Sequence, residues 1–200
     1  LELGGNDAAI VLPDVDVEAV AGPLFWAAFR NSGQICIATK RLYIHDDIYD
    51  RLAAAMLRYA DSVVMGNGAQ QGVGLGPIQN RLQFDRLRDL IADCHARGYR
   101  FLRGGQVDAD APGNFIPVSI VDNPPEDSRI VREEPFGPVL PLLRWKDLDD
   151  VIARANASEY GLAGSVWSAD LGKAQEIATR LHTGTIWINE VQHLTPWQAF

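Results

Sequence analysis

The chain has 200 residues, of which 47% are hydrophobic, and its 18 Lys and Arg against 26 Asp and Glu give a formal net charge of -8. This length lets one domain, or two small ones, bury a sizeable core without disulfides. The negative charge argues against a nucleic-acid partner, which requires a basic surface, and the sequence has no apolar run of the ~20 residues that a membrane span needs.

In the first half of the chain, the spacing of apolar residues predicts two helices separated by a strand. The sequence begins in what reads as the end of a strand, so we expect it to be part of a longer polypeptide. Helical spacing from Val17 predicts a helix that ends near residues 31–33. A strand is predicted at 41–45, and Asp46-Asp47 should cap a second helix with its apolar face over residues 48–63.

The second half shows the same alternation of helices and strands. A helix is predicted from about residue 80 to 97, closed by Gly98. Asp147 and Asp170 are predicted to cap two further helices, the second with Leu171 on its apolar face. Apolar runs predict four strands, at 116–121, 139–145, 163–167 and 185–189.

This alternation predicts the fold class. It is typical of an α/β domain with three layers, in which a largely parallel sheet is covered by helices on both faces. The glycines between residues 66 and 76 match no nucleotide-binding loop, and a surface loop is predicted there. The stretch 104–114 is interpreted as a surface excursion, so residues 1–200 are predicted to form one domain.

Cysteine and histidine usage excludes two kinds of site. With only Cys36 and Cys94 a disulfide framework is excluded, and a reducing compartment, the cytoplasm, is the expected location. A metal site is not predicted, because tetrahedral zinc needs three or four clustered ligands. The histidines are scattered singly, at His45, His95, His182 and His193.

Cys36 lies in a short polar segment whose residues suit a reactive thiol. A lone cysteine is most often a small buried hydrophobe. Here, however, Gly33 and Gln34 precede it, and backbone N–H groups in such a segment can stabilise a thiolate or a developing oxyanion. Cys94 instead continues the apolar face of its helix and is predicted to be core.

Glu2 is a candidate general base. It stands between two leucines and before Gly4-Gly5. Burial beside apolar neighbours would raise the basicity of its carboxylate, although the same residue could be a surface charge next to a turn. The combination with Cys36 matters more, since thiol chemistry followed by hydrolysis needs a group that takes protons from thiol and water.

Four segments in order resemble the motifs of the NAD(P)-dependent aldehyde dehydrogenase superfamily. They are Glu2-Leu-Gly-Gly-Asn6, Asn31-Ser-Gly-Gln-Ile-Cys36, Glu133-Glu-Pro-Phe-Gly-Pro138 and Gly184-Thr-Ile-Trp-Ile-Asn189. The first two are separated by 34 residues, as in that family. The resemblance covers essentially the whole chain and implies that residues 1–200 are the catalytic, C-terminal domain, without the N-terminal NAD(P)-binding domain.

The resemblance implies a role for five residues. Cys36 would be the nucleophile that forms a thiohemiacetal and then a thioester, and Glu2 the base for the water that hydrolyses the thioester. Glu134 would bind the ribose hydroxyls beside the nicotinamide, Phe136 would pack near the nicotinamide ring, and Gln83 would make a further ribose-side contact. The alternative is that Glu133 and Glu134 form a solvated acidic turn and that Phe136 is ordinary core.

The same resemblance implies oxidation of an aldehyde to a carboxylic acid with NAD or NADP, and a homodimer or homotetramer for the full-length protein. The fragment alone is expected to be inactive, because most dinucleotide contacts would lie in the other domain. Two alternatives remain. A CoA-acylating relative needs no acid at the position of Glu2, and a catalytically silent member would serve as a binding or structural protein.

Overall fold

A seven-stranded sheet forms the centre of the computed structural model, which describes residues 3–108 and 111–197. The strands in chain order are β1 (Asp7–Val11), β2 (Thr39–His45), β3 (Val64–Met65), β4 (Val73–Leu75), β5 (Phe101–Arg103), β6 (Ser119–Asp122), β7 (Val139–Trp145), β8 (Ala163–Trp167) and β9 (Thr185–Ile188). The order in the sheet is β5-β6-β7-β2-β1-β8-β9, and all neighbours are parallel except β5 and β6. Strands β3 and β4 form a separate parallel pair.

Helices cover both faces of this sheet within the described ranges. They are α1 (Val17–Phe29), α2 (Tyr49–Asp61), α3 (Arg81–Ala96), α4 (Arg129–Arg132), α5 (Leu148–Asn156) and α6 (Leu171–Ala178), with a 3-10 turn at Arg30–Gly33 directly after α1. None of them is long and apolar enough to cross a membrane.

The core divides into two clusters because successive residues of a strand point to opposite faces. Ala9 and Val11 of β1 pack with the buried residues of α1 and α2. Ile10 and Leu12 belong to the other cluster, which includes the buried residues of α3, α5 and α6. The predicted three-layer α/β architecture with a largely parallel sheet is therefore confirmed.

Local sequence signals set most element boundaries. The side chains of Asn80, Asp147 and Asp170 each accept a hydrogen bond from a backbone N–H in the first turn of the helix that follows. Gly98 has φ +72°, the left-handed conformation expected of a glycine that ends a helix.

Several predicted details were wrong. Helix α2 has Ile48 at its N-cap and no side-chain cap, because Asp46 accepts instead from Arg144 and Lys146. Leu171 is 62% exposed, since it occupies the outward side of the first turn of α6. The glycine-rich stretch between residues 66 and 76, where only a surface loop was predicted, contains β4, which pairs with β3 just before the stretch.

Candidate active site

The candidate residues converge because their segments precede neighbouring parallel strands. Gly4-Gly5 leads into β1, Cys36 into β2 and Glu134 into β7, and these three strands are adjacent in the sheet. The amino ends of adjacent parallel strands lie at one edge of a sheet. Three motifs that are far apart in sequence therefore meet there.

The segment before Cys36 turns sharply through three residues with left-handed backbone. Asn31, Ser32 and Gly33 have φ values of 53°, 56° and 73°. Besides its positive φ, a second reason requires glycine at position 33, because a Cβ there would lie 2.3 Å from the carbonyl oxygen of Gly137. Such strained backbone persists only where surrounding contacts hold it, and it is concentrated at functional sites.

Side-chain hydrogen bonds hold this turn against a neighbouring loop. The Ser32 hydroxyl donates to the Gly76 carbonyl at 2.8 Å. Gln34 donates to the Pro77 carbonyl at 3.3 Å and accepts from the Gln79 N–H at 2.9 Å. The polar residues of the cysteine motif thus fix the backbone on which Cys36 is mounted.

The two cysteines have different surroundings. Cys36 is half-buried at the strand edge, whereas Cys94 is completely buried in the core, as predicted. Burial raises the pKa of the Cys94 thiol to about 11, so this group is a neutral thiol at physiological pH.

We expect iodoacetamide to label Cys36 and to leave Cys94 unmodified. The reason is that the reagent requires an accessible thiolate, and Cys94 offers neither accessibility nor charge. Brief treatment of native protein followed by peptide mapping measures the two yields. Preferential labelling of Cys94 would contradict the assignment. As a control, iodoacetamide should label both cysteines in urea, which shows that each thiol reacts once it is exposed.

Glu134 is held at the same edge and is not a solvated acid. Its Oε1 accepts from the Gly5 N–H at 3.0 Å and lies 3.4 Å from Lys40 Nζ, and its side chain is 15% exposed. Gly4 has φ +79°, and a Cβ there would lie 2.3 Å from Glu134 Oε2. Glu133, in contrast, points outward and pairs with Arg129.

Phe136 is half-buried and has φ 45°, which is uncommon for an aromatic residue. The Gln83 amide donates to the Pro135 carbonyl at 2.8 Å and to the Phe136 carbonyl at 3.3 Å. Gln83 therefore supports the backbone of the Phe136 segment. Its amide nitrogen is occupied by these contacts, while its predicted contact to a ribose stays a prediction.

A cleft of about 350 Å³ opens beside these residues. The residues that border it include Leu3, Gly4, Gln79, Gln83, Glu134, Phe136 and Tyr160. Glu2, the predicted general base, directly precedes Leu3 but lies outside the described residues.

Two residues in this region were missed by the sequence analysis, namely Asp7 and Lys40. Both are almost completely buried, at 4% and 2% exposure, on adjacent strands. The sequence signals for them are their positions close to two motifs, Asp7 two residues after Gly5 and Lys40 four residues after Cys36. Burial raises the pKa of Asp7 to about 7, although Lys40 counteracts the shift.

The substitution Asp7→Asn should stabilise the protein more at pH 8 than at pH 5. Because the folded pKa of about 7 exceeds the usual 3.8, folding favours the protonated acid. Stability is thus lost as pH rises from about 4 to 7, by up to about 4 kcal/mol for this group. Thermal unfolding of both proteins at the two pH values measures the effect, and an equal difference in Tm at both would contradict it.

Comparison with known proteins identifies relatives over the whole chain. The model of the aldehyde dehydrogenase family matches residues 1–200. A probable aldehyde dehydrogenase from a Pseudomonas species is 45% identical over 188 residues, which cover 94% of this chain and 38% of the relative. The NADP(+) succinate-semialdehyde dehydrogenase GabD of Escherichia coli is 36% identical over 189 residues, which cover 94% of this chain and 39% of the relative.

A solved structure has the same fold. The crystal structure of an NAD-dependent aldehyde dehydrogenase from Sinorhizobium meliloti superposes with a TM-score of 0.92 at 32% identity, and the match covers 97% of this chain and 39% of that chain. The chain spans about two fifths of the length of these relatives. The resemblance read from the motifs is confirmed, and the chain belongs to the aldehyde dehydrogenase family.

Proposed function

We propose that this chain is the catalytic part of an enzyme that oxidises an aldehyde to a carboxylic acid with NAD or NADP. The observation that carries the proposal is the convergence of the three motifs. A Cβ at Gly5 would lie 2.6 Å from the Cys36 carbonyl oxygen, and the Gly5 N–H donates to Glu134. A candidate nucleophile and a candidate cofactor-binding acid are therefore side by side.

The residues of the cleft fit the nicotinamide half of a dinucleotide. Glu134 presents a carboxylate, which accepts well from a pair of ribose hydroxyls. Phe136 offers a flat apolar wall for a ring. The absence of a Cβ at Gly4 leaves room for the Glu134 carboxylate, and Gln83 supports the Phe136 backbone from behind.

In the proposed reaction, the thiolate of Cys36 attacks the aldehyde carbon, so that a C–S bond forms and the carbonyl becomes the alkoxide of a thiohemiacetal. The bound cofactor supplies the hydride acceptor for the oxidation of this adduct to a thioester. Glu2 then takes a proton from water as the water attacks the thioester carbon. The C–S bond breaks, the acid is released, and Cys36 leaves as the thiolate.

The other readings are less well supported. A CoA-acylating enzyme resolves the thioester with a thiol and has no need of an acid at position 2, so Glu2 favours hydrolysis. A silent family member has no need of a cysteine and an acid in the two motif positions. The relative GabD is named for NADP, and the Sinorhizobium enzyme for NAD, so either cofactor is proposed here.

The proposal is tested by assaying the complete protein against a panel of aldehydes with NAD and with NADP. Turnover with at least one pair is expected, with the carboxylic acid as product whether or not CoA is added. Residues 1–200 alone should bind NAD poorly and give no steady turnover, because we propose that the remaining dinucleotide contacts lie in a separate NAD(P)-binding domain. Failure of the complete protein across the panel, or a CoA thioester as the product, would contradict the proposal.

A further inference from the structure

Lys40 is the second residue of β2, and its ammonium group is directed at the turn that carries Cys36. Its Nζ donates to the carbonyl of Ile35 at 2.8 Å, of Cys36 at 3.2 Å and of Ala38 at 3.3 Å. The same nitrogen lies 3.4 Å from Glu134 Oε1, and the side chain is 2% exposed. One buried cation therefore contacts both candidate halves of the site.

The acceptors around Lys40 compete for the protons of its ammonium group. A lysine ammonium has three protons, and Lys40 has four acceptors within reach, three carbonyls and one carboxylate oxygen. A stronger contact with Glu134 must weaken at least one contact with the turn. A change at Glu134 is thereby transmitted to the backbone of Cys36.

The charges of these groups also connect Lys40 with both Glu134 and Cys36. Burial lowers the pKa of Lys40, while interactions with Glu134, Asp7 and Cys36 favour its charged form. The positive charge in turn favours the thiolate of Cys36, and the negative charge of Glu134 offsets part of that effect.

We propose that Lys40 is a positioning residue that links the Cys36 turn to Glu134, so that the state of the ribose-binding carboxylate sets the reactivity of the nucleophile. The proposal rests on the roles proposed above for Cys36 and Glu134. A structural ion pair alone would direct the ammonium at carboxylates. Instead, three of the four contacts of Lys40 go to carbonyls around Cys36.

The test is the rate at which iodoacetamide alkylates Cys36 in the complete protein, measured by peptide mapping without cofactor or aldehyde. In Lys40→Met, loss of the cation should slow alkylation at neutral pH by about tenfold. In Glu134→Gln, which keeps the shape and removes the charge, alkylation should become about threefold faster because the cation is no longer offset. Lys146→Met is the control, since Lys146 is 79% exposed and pairs with Asp46.

Opposite signs in the two single variants, together with loss of the Glu134→Gln effect in a Lys40→Met background, support the link. Two independent charge effects would both persist in the double variant, and general loosening of the fold would change both rates in the same direction. Rates within 1.5-fold of the unmodified protein in both single variants, changes of the same sign, or a Glu134→Gln effect that persists in full in the double variant overturn it. If Lys40→Met does not fold, as judged by circular dichroism, Lys40→Gln takes its place in the single and the double variant. Since neither measurement needs turnover, the proposal can fail while the proposed function stands, and the aldehyde assay tests that function separately.

Discussion

Replacing Cys36 by serine in the complete protein should lower kcat for aldehyde oxidation by at least about 10³-fold. A hydroxyl is a far weaker nucleophile than a thiolate at neutral pH, and the ester that would follow hydride transfer is hydrolysed less readily than a thioester. The turn itself should be retained, because Ser32, Gln34 and Lys40 hold it through hydrogen bonds. Steady-state formation of the reduced cofactor measures the loss.

The matched control is Cys94→Ala. Cys94 lies in the core on α3, away from the sheet edge that carries Cys36. Its truncation should therefore leave kcat within about twofold, and it should lower Tm because it creates a small cavity. If Cys36→Ser retains a tenth of kcat, another group must be the nucleophile. An equal loss of kcat in both variants would indicate a general effect on folding.

Elements with local signals could be predicted from the sequence. The helix that begins after Asn80 has a cap, an apolar face and a closing glycine, and all three act within a few residues of chain. Strand β1 was not predicted as such because Asp7–Val11 is buried on both faces and shows no alternation. The cap predicted at Asp46 failed because Arg144, distant in sequence, offered that carboxylate a stronger partner.

The residues of the candidate site likewise fall into those that could be predicted from the sequence and those that could not. Cys36 and Glu134 could be found because each lies in a short segment that resembles a family motif. Lys40 could not, since its importance depends on carbonyls next to it and on a carboxylate 94 positions away along the chain. The left-handed backbone at Phe136 was equally hidden, because the contacts around it, Gly137 against Leu87 and the hydrogen bonds of Gln83, join residues that are distant in sequence.

The substitution Glu2→Gln in the complete protein should separate the two halves of the reaction. The carboxamide cannot accept a proton from water, so hydrolysis of the thioester on Cys36 should slow by about 10²-fold. Formation of the thioester requires only the thiolate and the cofactor and should proceed almost normally. Rapid mixing should therefore show a burst of reduced cofactor of about one equivalent per site, followed by a slow steady state.

A matched control for that experiment is Glu18→Gln, since Glu18 is 73% exposed, pairs with Arg58 and lies outside the cleft, so both phases should stay unchanged. Equal loss of the burst and of steady turnover in Glu2→Gln would mean that Glu2 is needed to form the thiolate. The same protein distinguishes hydrolysis from acyl transfer to CoA. In a hydrolytic enzyme the accumulated thioester persists when CoA is added, because the missing step is the activation of water, whereas in a CoA-acylating enzyme the added thiol would release it and restore turnover.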